Sequence, residues 1–96
     1  MKSITALELS QLLNTGAEIQ LIDVREAYEH QEFNIGGELI PLANIIQHLN
    51  KIDTQKPVIF YCRKGIRSQI AIQRLQQKFP FENLVNLAGG MDDWEK

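Results

Sequence analysis

The sequence predicts an α/β fold in which a largely parallel sheet is covered by helices on both faces. Short apolar runs alternate along the chain with segments of helical periodicity. The apolar runs end in charged or loop-forming residues, which is typical of buried parallel strands that emerge at one edge of a sheet. The chain has 96 residues and no repeat, low-complexity tract or linker, so we expect a single domain over residues 1–96.

The amino-terminal half is predicted to begin with a capped helix. Thr5 and Glu8 have the spacing of a capping box, leucines follow at helical spacing, and Gly16 is placed to end the helix. The other predicted elements of this half are a strand at 19–24, a brief helix at 26–32 and a strand at 38–41 that ends in proline.

The carboxyl-terminal half contains the clearest strand and the clearest helix. The strand is predicted at 57–61 and the helix at 68–79, so that Cys62 to Arg67 form the turn between them. The other predicted elements are a helix at 42–49, a strand at 83–87 and a short closing helix that carries Met91 and Trp94.

Composition and charge exclude several classes of protein. Ten Lys and Arg residues against twelve Asp and Glu residues give a formal charge of −2, which predicts neither nucleic acid nor an anionic membrane as a partner. The single cysteine cannot form an internal disulfide, and the first residues lack the apolar run of a signal peptide. We therefore expect a cytoplasmic protein, and a monomer, because no apolar surface pattern indicates a partner.

No metal site or organic cofactor is expected. His30 and His48 do not stand at metal-ligand spacing with one another or with the cysteine. We expect both to be surface or helix-face residues.

The stretch that follows the clearest strand carries the strongest functional signal. Cys62 is followed by Arg63, Lys64, Gly65 and, after Ile66, by Arg67. Ligands of open parallel sheets collect at the carboxyl ends of strands, and a glycine here permits a turn whose amides point inward at the start of a helix. A thiol within such a loop, among three cations, should be largely ionised at neutral pH and act as a nucleophile.

Two other interpretations of this loop are an inert buried cysteine and a different cysteine-dependent enzyme. A lone cysteine after an apolar strand is commonly an inert buried residue, but cations and a glycine in the next five positions argue against that. A cysteine phosphatase or arsenate reductase would use the same kind of thiolate, yet only four residues separate Cys62 from Arg67, one fewer than in the phosphatase loop. The smaller loop suits a smaller occupant, such as the single added sulfur of a persulfide.

Four motifs in order make the sequence resemble the rhodanese-like sulfurtransferase family over nearly its whole length. They are LIDVRE at 21–26, GGELIPL at 36–42, VIFYCRKGIRS at 58–68 and NLAGGMDDW at 86–94. The resemblance implies a three-layer sandwich around a mostly parallel five-stranded sheet. It also implies that Cys62 is the catalytic nucleophile, with Arg63, Lys64, Gly65, Ile66 and Arg67 as the loop that holds the sulfur and its donor.

The resemblance implies supporting roles elsewhere and has one departure. Asp23 and Arg25 match an element that looks structural, fixing neighbouring loops by hydrogen bonds. Residues 34–38 read NIGGE where many members have a histidine and a proline. The IGGELIPL stretch resembles the rhodanese domains fused to enzymes that activate ubiquitin-like proteins more than it resembles free-standing thiosulfate enzymes.

The expected reaction is a double displacement. The Cys62 thiolate would take the sulfane sulfur of a donor such as thiosulfate or a persulfide, and pass it to cyanide, a thiol or a protein acceptor. Alternatives are a sulfur relay that serves a protein partner, such as the Gly-Gly tail of a ubiquitin-like sulfur carrier, and a binding module without catalysis.

Overall fold

The computed structural model describes residues 1–94, in which five strands form one sheet with every neighbouring pair parallel. The strands are β1 (Lys2–Ile4), β2 (Gln20–Asp23), β3 (Glu38–Leu39), β4 (Val58–Tyr61) and β5 (Leu84–Leu87). Their spatial order is β1-β5-β4-β2-β3. The predicted α/β fold with a five-stranded parallel sheet is confirmed, and β4, which precedes Cys62, is its central strand.

Helices cover both faces of the sheet. They are α1 (Ala6–Asn14), α2 (Ala27–Glu32), α3 (Ile66–Lys78) and α4 (Gly90–Trp94), with 3-10 segments at Leu42–Asn44 and Ile46–Lys51. Successive side chains of β4 alternate between two clusters. Phe60 packs with α3 and the 3-10 segments, whereas Ile59 and Tyr61 pack with α1 and α4. Each face therefore has its own apolar layer, which gives the three-layer sandwich.

The predicted capping box at the start of α1 is present. The Thr5 hydroxyl accepts from the Glu8 amide at 3.1 Å, and the Glu8 carboxylate accepts from the Thr5 amide at 2.9 Å. Leu9 on this helix is fully buried and belongs to the same apolar cluster as Tyr61 and Met91, on the face of the sheet that α1 and α4 cover. The capped helix thus covers one face of the sheet.

Three elements differ from the sequence-based prediction. β1 was not predicted, because three residues with one half-buried side chain carry little periodicity; it pairs with β5 at the sheet edge. The segment predicted as a helix at 42–49 is helical but forms two 3-10 segments, Leu42–Asn44 and Ile46–Lys51, the second of which is interrupted at His48 (φ −112°, ψ 24°). The third difference is the start of α3, at Ile66 instead of residue 68, because Gly65 already serves as its N-cap.

α2 differs from the other helices in how it is held. None of its side chains is buried, whereas Ala71, Ile72 and Leu75 of α3 are fully enclosed.

Within residues 1–94, no helix is long and apolar enough to cross a membrane.

Candidate active site

Cys62 lies directly after β4, at the carboxyl edge of the sheet, and caps the start of α3. The residue is 1% exposed. Its sulfur accepts hydrogen bonds from the Gly65 amide at 3.1 Å and the Ser68 amide at 3.4 Å. The first amides of a helix have no partner within the helix and carry its positive dipole end. The sulfur therefore replaces the side-chain cap that Gly65 cannot provide.

Two glycines allow the loop to adopt this shape. Gly65 has φ of 89°, in the left-handed region that a residue with a side chain rarely adopts. The Met91 and Asp92 amides donate to the carbonyls of Cys62 and Arg63, both at 2.9 Å. A Cβ atom at Gly90 would lie 2.4 Å from the Cys62 carbonyl oxygen. The carbonyls of the loop thus bond to α4, which leaves amides to face the sulfur.

Ser68 and Asn86 complete the surroundings of the sulfur and were not predicted from the sequence. Both are buried. The Ser68 hydroxyl lies 3.4 Å from the sulfur and is hydrogen-bonded to the Asn86 side-chain oxygen. The Asn86 amide nitrogen donates to the Gly65 carbonyl at 3.3 Å. A polar residue among the apolar residues of β5 was the available signal for Asn86, since a buried amide needs partners.

The three cations of the loop differ in their surroundings. Arg67 donates two hydrogen bonds to Glu29 at 2.8 and 3.0 Å. Arg63 has an exposed ion pair with Asp92 at 3.3 Å. Lys64 is exposed and forms no ion pair with any residue of the described chain. Of the three, Lys64 is the most available to an incoming anion.

Asp23 and Arg25 form a separate polar cluster beside the loop. Asp23 is 0% exposed and accepts from the backbone amide of Arg25 and from its guanidinium, with a shortest distance of 2.8 Å. Arg25 also donates to the Phe33 carbonyl at 2.7 Å. These contacts join the end of β2 to the segment after α2, and the structural role of the pair stays a prediction.

His30 belongs to the same cluster, which the sequence did not predict. Its Nδ1 lies 2.8 Å from the Asp23 carboxylate, and its side chain is 22% exposed. His48 Nδ1 instead lies 2.9 Å from the carbonyl oxygen of Asn44, the last residue of the preceding 3-10 segment. Among residues 1–94 no three His, Cys, Asp or Glu side chains are grouped so as to hold a metal ion.

Comparison with known proteins gives a family and several relatives. Residues 5–96 match the family described as Rhodanese-like domain. The chain is 43% identical over 76 residues to the uncharacterized protein YqhL of Bacillus subtilis, covering 78% of this chain and 60% of that protein. It is 36% identical over 97 residues to the probable adenylyltransferase/sulfurtransferase MoeZ of Mycobacterium tuberculosis, covering 98% of this chain and 24% of MoeZ.

A third relative is matched over most of its length. The thiosulfate sulfurtransferase GlpE of Coxiella burnetii is 33% identical over 95 residues, which cover 98% of this chain and 87% of GlpE. Among solved structures, a rhodanese-like domain protein from Staphylococcus aureus superposes with a TM-score of 0.87 at 32% identity, covering 98% of this chain and 91% of that one. The chain therefore belongs to the rhodanese-like domain family, which includes sulfurtransferases.

Proposed function

We propose that the protein transfers sulfane sulfur through a persulfide on Cys62, with thiosulfate as a donor. The observation that carries this proposal is the set of amides at the start of α3, two of which donate to the Cys62 sulfur. Backbone amides that point at the sulfur stabilise negative charge on it during the displacement steps. The similarity to a thiosulfate sulfurtransferase over 98% of the chain supports the choice of donor.

The reaction has two displacement steps. In the first, the Cys62 thiolate attacks the outer sulfur of thiosulfate, the sulfur–sulfur bond of the donor breaks, and sulfite leaves with the bonding electron pair. In the second, a nucleophile such as cyanide or a thiolate attacks the terminal sulfur of the persulfide, and Cys62 leaves as the thiolate. No net oxidation of the protein occurs over the cycle, and no external general base is required when the thiol is already ionised.

The loop residues take different parts in this reaction. Lys64 and Arg63 meet the anionic donor and the departing sulfite, because both lie exposed at the loop. The amides of Gly65 and Ser68 stabilise negative charge on the sulfur, as an oxyanion hole does for oxygen. Arg67 is held by Glu29, so its part is to keep the loop and the first turn of α3 in place.

A protein acceptor is a second candidate for the second step. Ile66, within the loop, is 62% exposed, and Tyr28 on α2 is 66% exposed. An exposed apolar side chain beside a reactive sulfur gives a protein surface something to pack against. The chain is also similar to 24% of MoeZ, a longer protein described as a probable adenylyltransferase/sulfurtransferase. Rapid turnover with a protein persulfide acceptor and slow turnover with cyanide would favour this candidate.

The first test is the intact mass of the protein after incubation with thiosulfate. We expect a gain of one sulfur, about thirty-two mass units, that dithiothreitol removes and that Cys62→Ser never shows. An unchanged mass with thiosulfate and with other sulfane donors would contradict the enzymatic proposal. Phosphate esters and arsenate serve as negative controls, because the loop is one residue shorter than the phosphatase loop; turnover with either would favour a phosphatase or an arsenate reductase.

A further inference from the structure

α2 is attached to the rest of the protein through polar contacts on two adjacent residues. None of its side chains is buried. Glu29 is paired with Arg67 at the start of α3, and His30 contacts Asp23 at the end of β2. The position of α2 against the loop therefore depends on these contacts more than on apolar packing.

The Glu29–Arg67 pair has the geometry of a strong ion pair. Each of the two terminal guanidinium nitrogens faces its own carboxylate oxygen, at 2.8 and 3.0 Å. The side chain of Glu29 is 12% exposed and that of Arg67 is 34% exposed. Hydrogen bonding from Arg67 lowers the pKa of Glu29 to about 2, although burial opposes the shift. The pair is ionised at neutral pH, and its two parallel hydrogen bonds fix the direction of the guanidinium.

Arg67 connects this pair to the reactive sulfur. Its neighbour Ser68 supplies an amide and a hydroxyl to Cys62, and Gly65, two residues earlier, supplies the other amide. The hydrogen bonds to Glu29 are the largest cause of the raised pKa of Arg67, and an electrostatic interaction with Cys62 contributes to it. Because Gly65 and Ser68 contact the sulfur on either side of Arg67, a displaced Arg67 would move the first turn of α3 relative to Cys62.

We propose that Glu29 is a positioning residue for sulfur transfer. Its hydrogen bonds hold Arg67 in place, so that the amides at the first turn of α3 stay directed at Cys62. Its negative charge offsets the charge of Arg67, so that the anionic donor binds at Lys64. The role rests on the proposed sulfurtransferase function, and its electrostatic part is testable without any turnover.

The competing explanation is that the Glu29–Arg67 pair only attaches α2 to the rest of the protein and has no effect on the reaction. His30 provides the matched control, because it is the next residue on the same helix and makes the other polar tie, to Asp23 instead of to Arg67. If the pair only attaches α2, substitutions of Glu29 and His30 should have the same effect on activity. A positioning residue would make only the Glu29 substitution alter the reaction.

Glu29→Gln separates the contact with Arg67 from the helix cap. One carboxylate oxygen of Glu29 also accepts from the Glu26 amide at 3.0 Å at the start of α2. Glutamine keeps an oxygen for that bond, since it serves at this position of a capping box as glutamate does. It removes the charge and one of the two acceptors that Arg67 uses.

The kinetic test compares Glu29→Gln with His30→Gln at a temperature where circular dichroism shows both to be folded. We expect kcat with thiosulfate and cyanide to fall about tenfold in Glu29→Gln while KM for thiosulfate does not rise, because position is lost and positive charge is gained. His30→Gln should stay within about twofold of the unaltered protein. If Glu29→Gln does not fold, Glu29→Asp, which keeps the charge on a shorter side chain, takes its place and should also lower kcat.

A second test uses the Arg67→Gln background. If Glu29 acts through Arg67, Glu29→Gln should lower kcat no further in that background, since residues that act together are not additive. A kcat of Glu29→Gln within twofold of the unaltered protein would overturn the proposal, as would additive losses or an equal loss in His30→Gln.

The third test measures charge at the sulfur by alkylation. At pH 8, Glu29→Gln should raise the rate of Cys62 alkylation by anionic iodoacetate relative to neutral iodoacetamide by about threefold, because Arg67 is no longer neutralised. His30→Gln should leave this ratio unchanged. An unchanged ratio in Glu29→Gln contradicts the neutralisation of Arg67 even if the protein proves to have another activity. A protein without thiosulfate turnover but with the raised ratio would contradict the proposed function and leave this part of the Glu29 proposal supported.

Discussion

The ends of β2 and β4 carry two polar groups that lie side by side and differ in how they are satisfied. Asp23 is opposite Tyr61 in the sheet, so the Asp23 cluster and the Cys62 loop leave adjacent strands. Asp23 is surrounded by charged and polar side chains, chiefly Arg25 and His30, which satisfy one another. The Cys62 sulfur instead faces backbone amides, beside a lysine that has no ion pair in the described chain.

The difference separates stability from chemistry. A buried carboxylate with several partners already paired has nothing to offer a ligand, and it fixes the loops that its partners come from. A sulfur held by backbone amides keeps its nucleophilic orbital for a substrate, and the amides stay in place when the sulfur changes charge. Substitutions in the Asp23 cluster should lower the free energy of unfolding, and substitutions around the Cys62 sulfur should lower the rate of sulfur transfer.

The largest expected effect is on activity, at Cys62. Cys62→Ser should lower thiosulfate–cyanide turnover by at least about a thousandfold, because the nucleophile is removed. The serine oxygen can accept the same amide hydrogen bonds, so the free energy of unfolding should change by no more than about 1 kcal/mol. Steady-state kinetics measure the loss of turnover, and urea unfolding measures the change in stability. A large loss of stability would contradict the expectation that residues around the sulfur affect activity and not folding.

The next largest effect is on stability, at Asp23. Asp23→Asn should lower the free energy of unfolding by roughly 3–5 kcal/mol, because Arg25, 5% exposed, would be left as an uncompensated buried charge. Urea unfolding measures this. The control is Lys51→Gln, which breaks an exposed ion pair with Glu38 and should change stability by less than about 1 kcal/mol. Activity lost in Asp23→Asn beyond the fraction unfolded would give Asp23 a role in the reaction.

A smaller effect is expected where α4 supports the loop. Gly90→Ala places a Cβ atom 2.4 Å from the Cys62 carbonyl oxygen and 2.6 Å from that of Arg63, so the loop must shift. We expect kcat to fall about ten- to a hundredfold. Gly36→Ala is the control: φ is positive there as well, but nothing lies within 4 Å of the added atom, so stability should fall without the loss of rate. Equal rates in the two variants would show that loop placement is not limiting.

The smallest effect is the pH dependence of the Glu29–Arg67 pair. The pKa of Glu29 is about 2 in the folded protein, below its ordinary value of 4.5, chiefly because Arg67 donates hydrogen bonds to it. A lowered pKa stabilises the folded state above the ordinary pKa, and this contribution disappears as pH falls toward 2. Glu29→Gln should therefore be less stable than the unaltered protein by roughly 1–2 kcal/mol at pH 7.

The difference between the two proteins should shrink below about pH 4.5 and vanish near pH 2. Urea unfolding of both across this range provides the measurement. A difference that stays constant down to pH 3 would mean that the carboxylate charge contributes nothing to the pair.

Much of the fold followed from local patterns in the sequence. The capping box of α1, the strand before Cys62 and the helix after it are all contiguous segments whose periodicity and turn residues specify the backbone. Gly65 was expected at a positive φ and has one. The 3-10 character of Ile46–Lys51 was not predictable in the same way, because a helical periodicity of six residues does not distinguish the two kinds of helix.

The sequence by itself determined the sheet class and the reactive loop, because strand, loop and helix around Cys62 are consecutive in the chain and their conformations are set by neighbouring residues. Only the tertiary structure decided which distant groups meet that loop. Glu29 lies 38 residues from Arg67, Asn86 lies 18 residues from Ser68, and the amides of α4 that bond to the loop come from the last residues described. Contacts of this kind depend on the order and register of strands across the whole sheet, which local propensity does not contain.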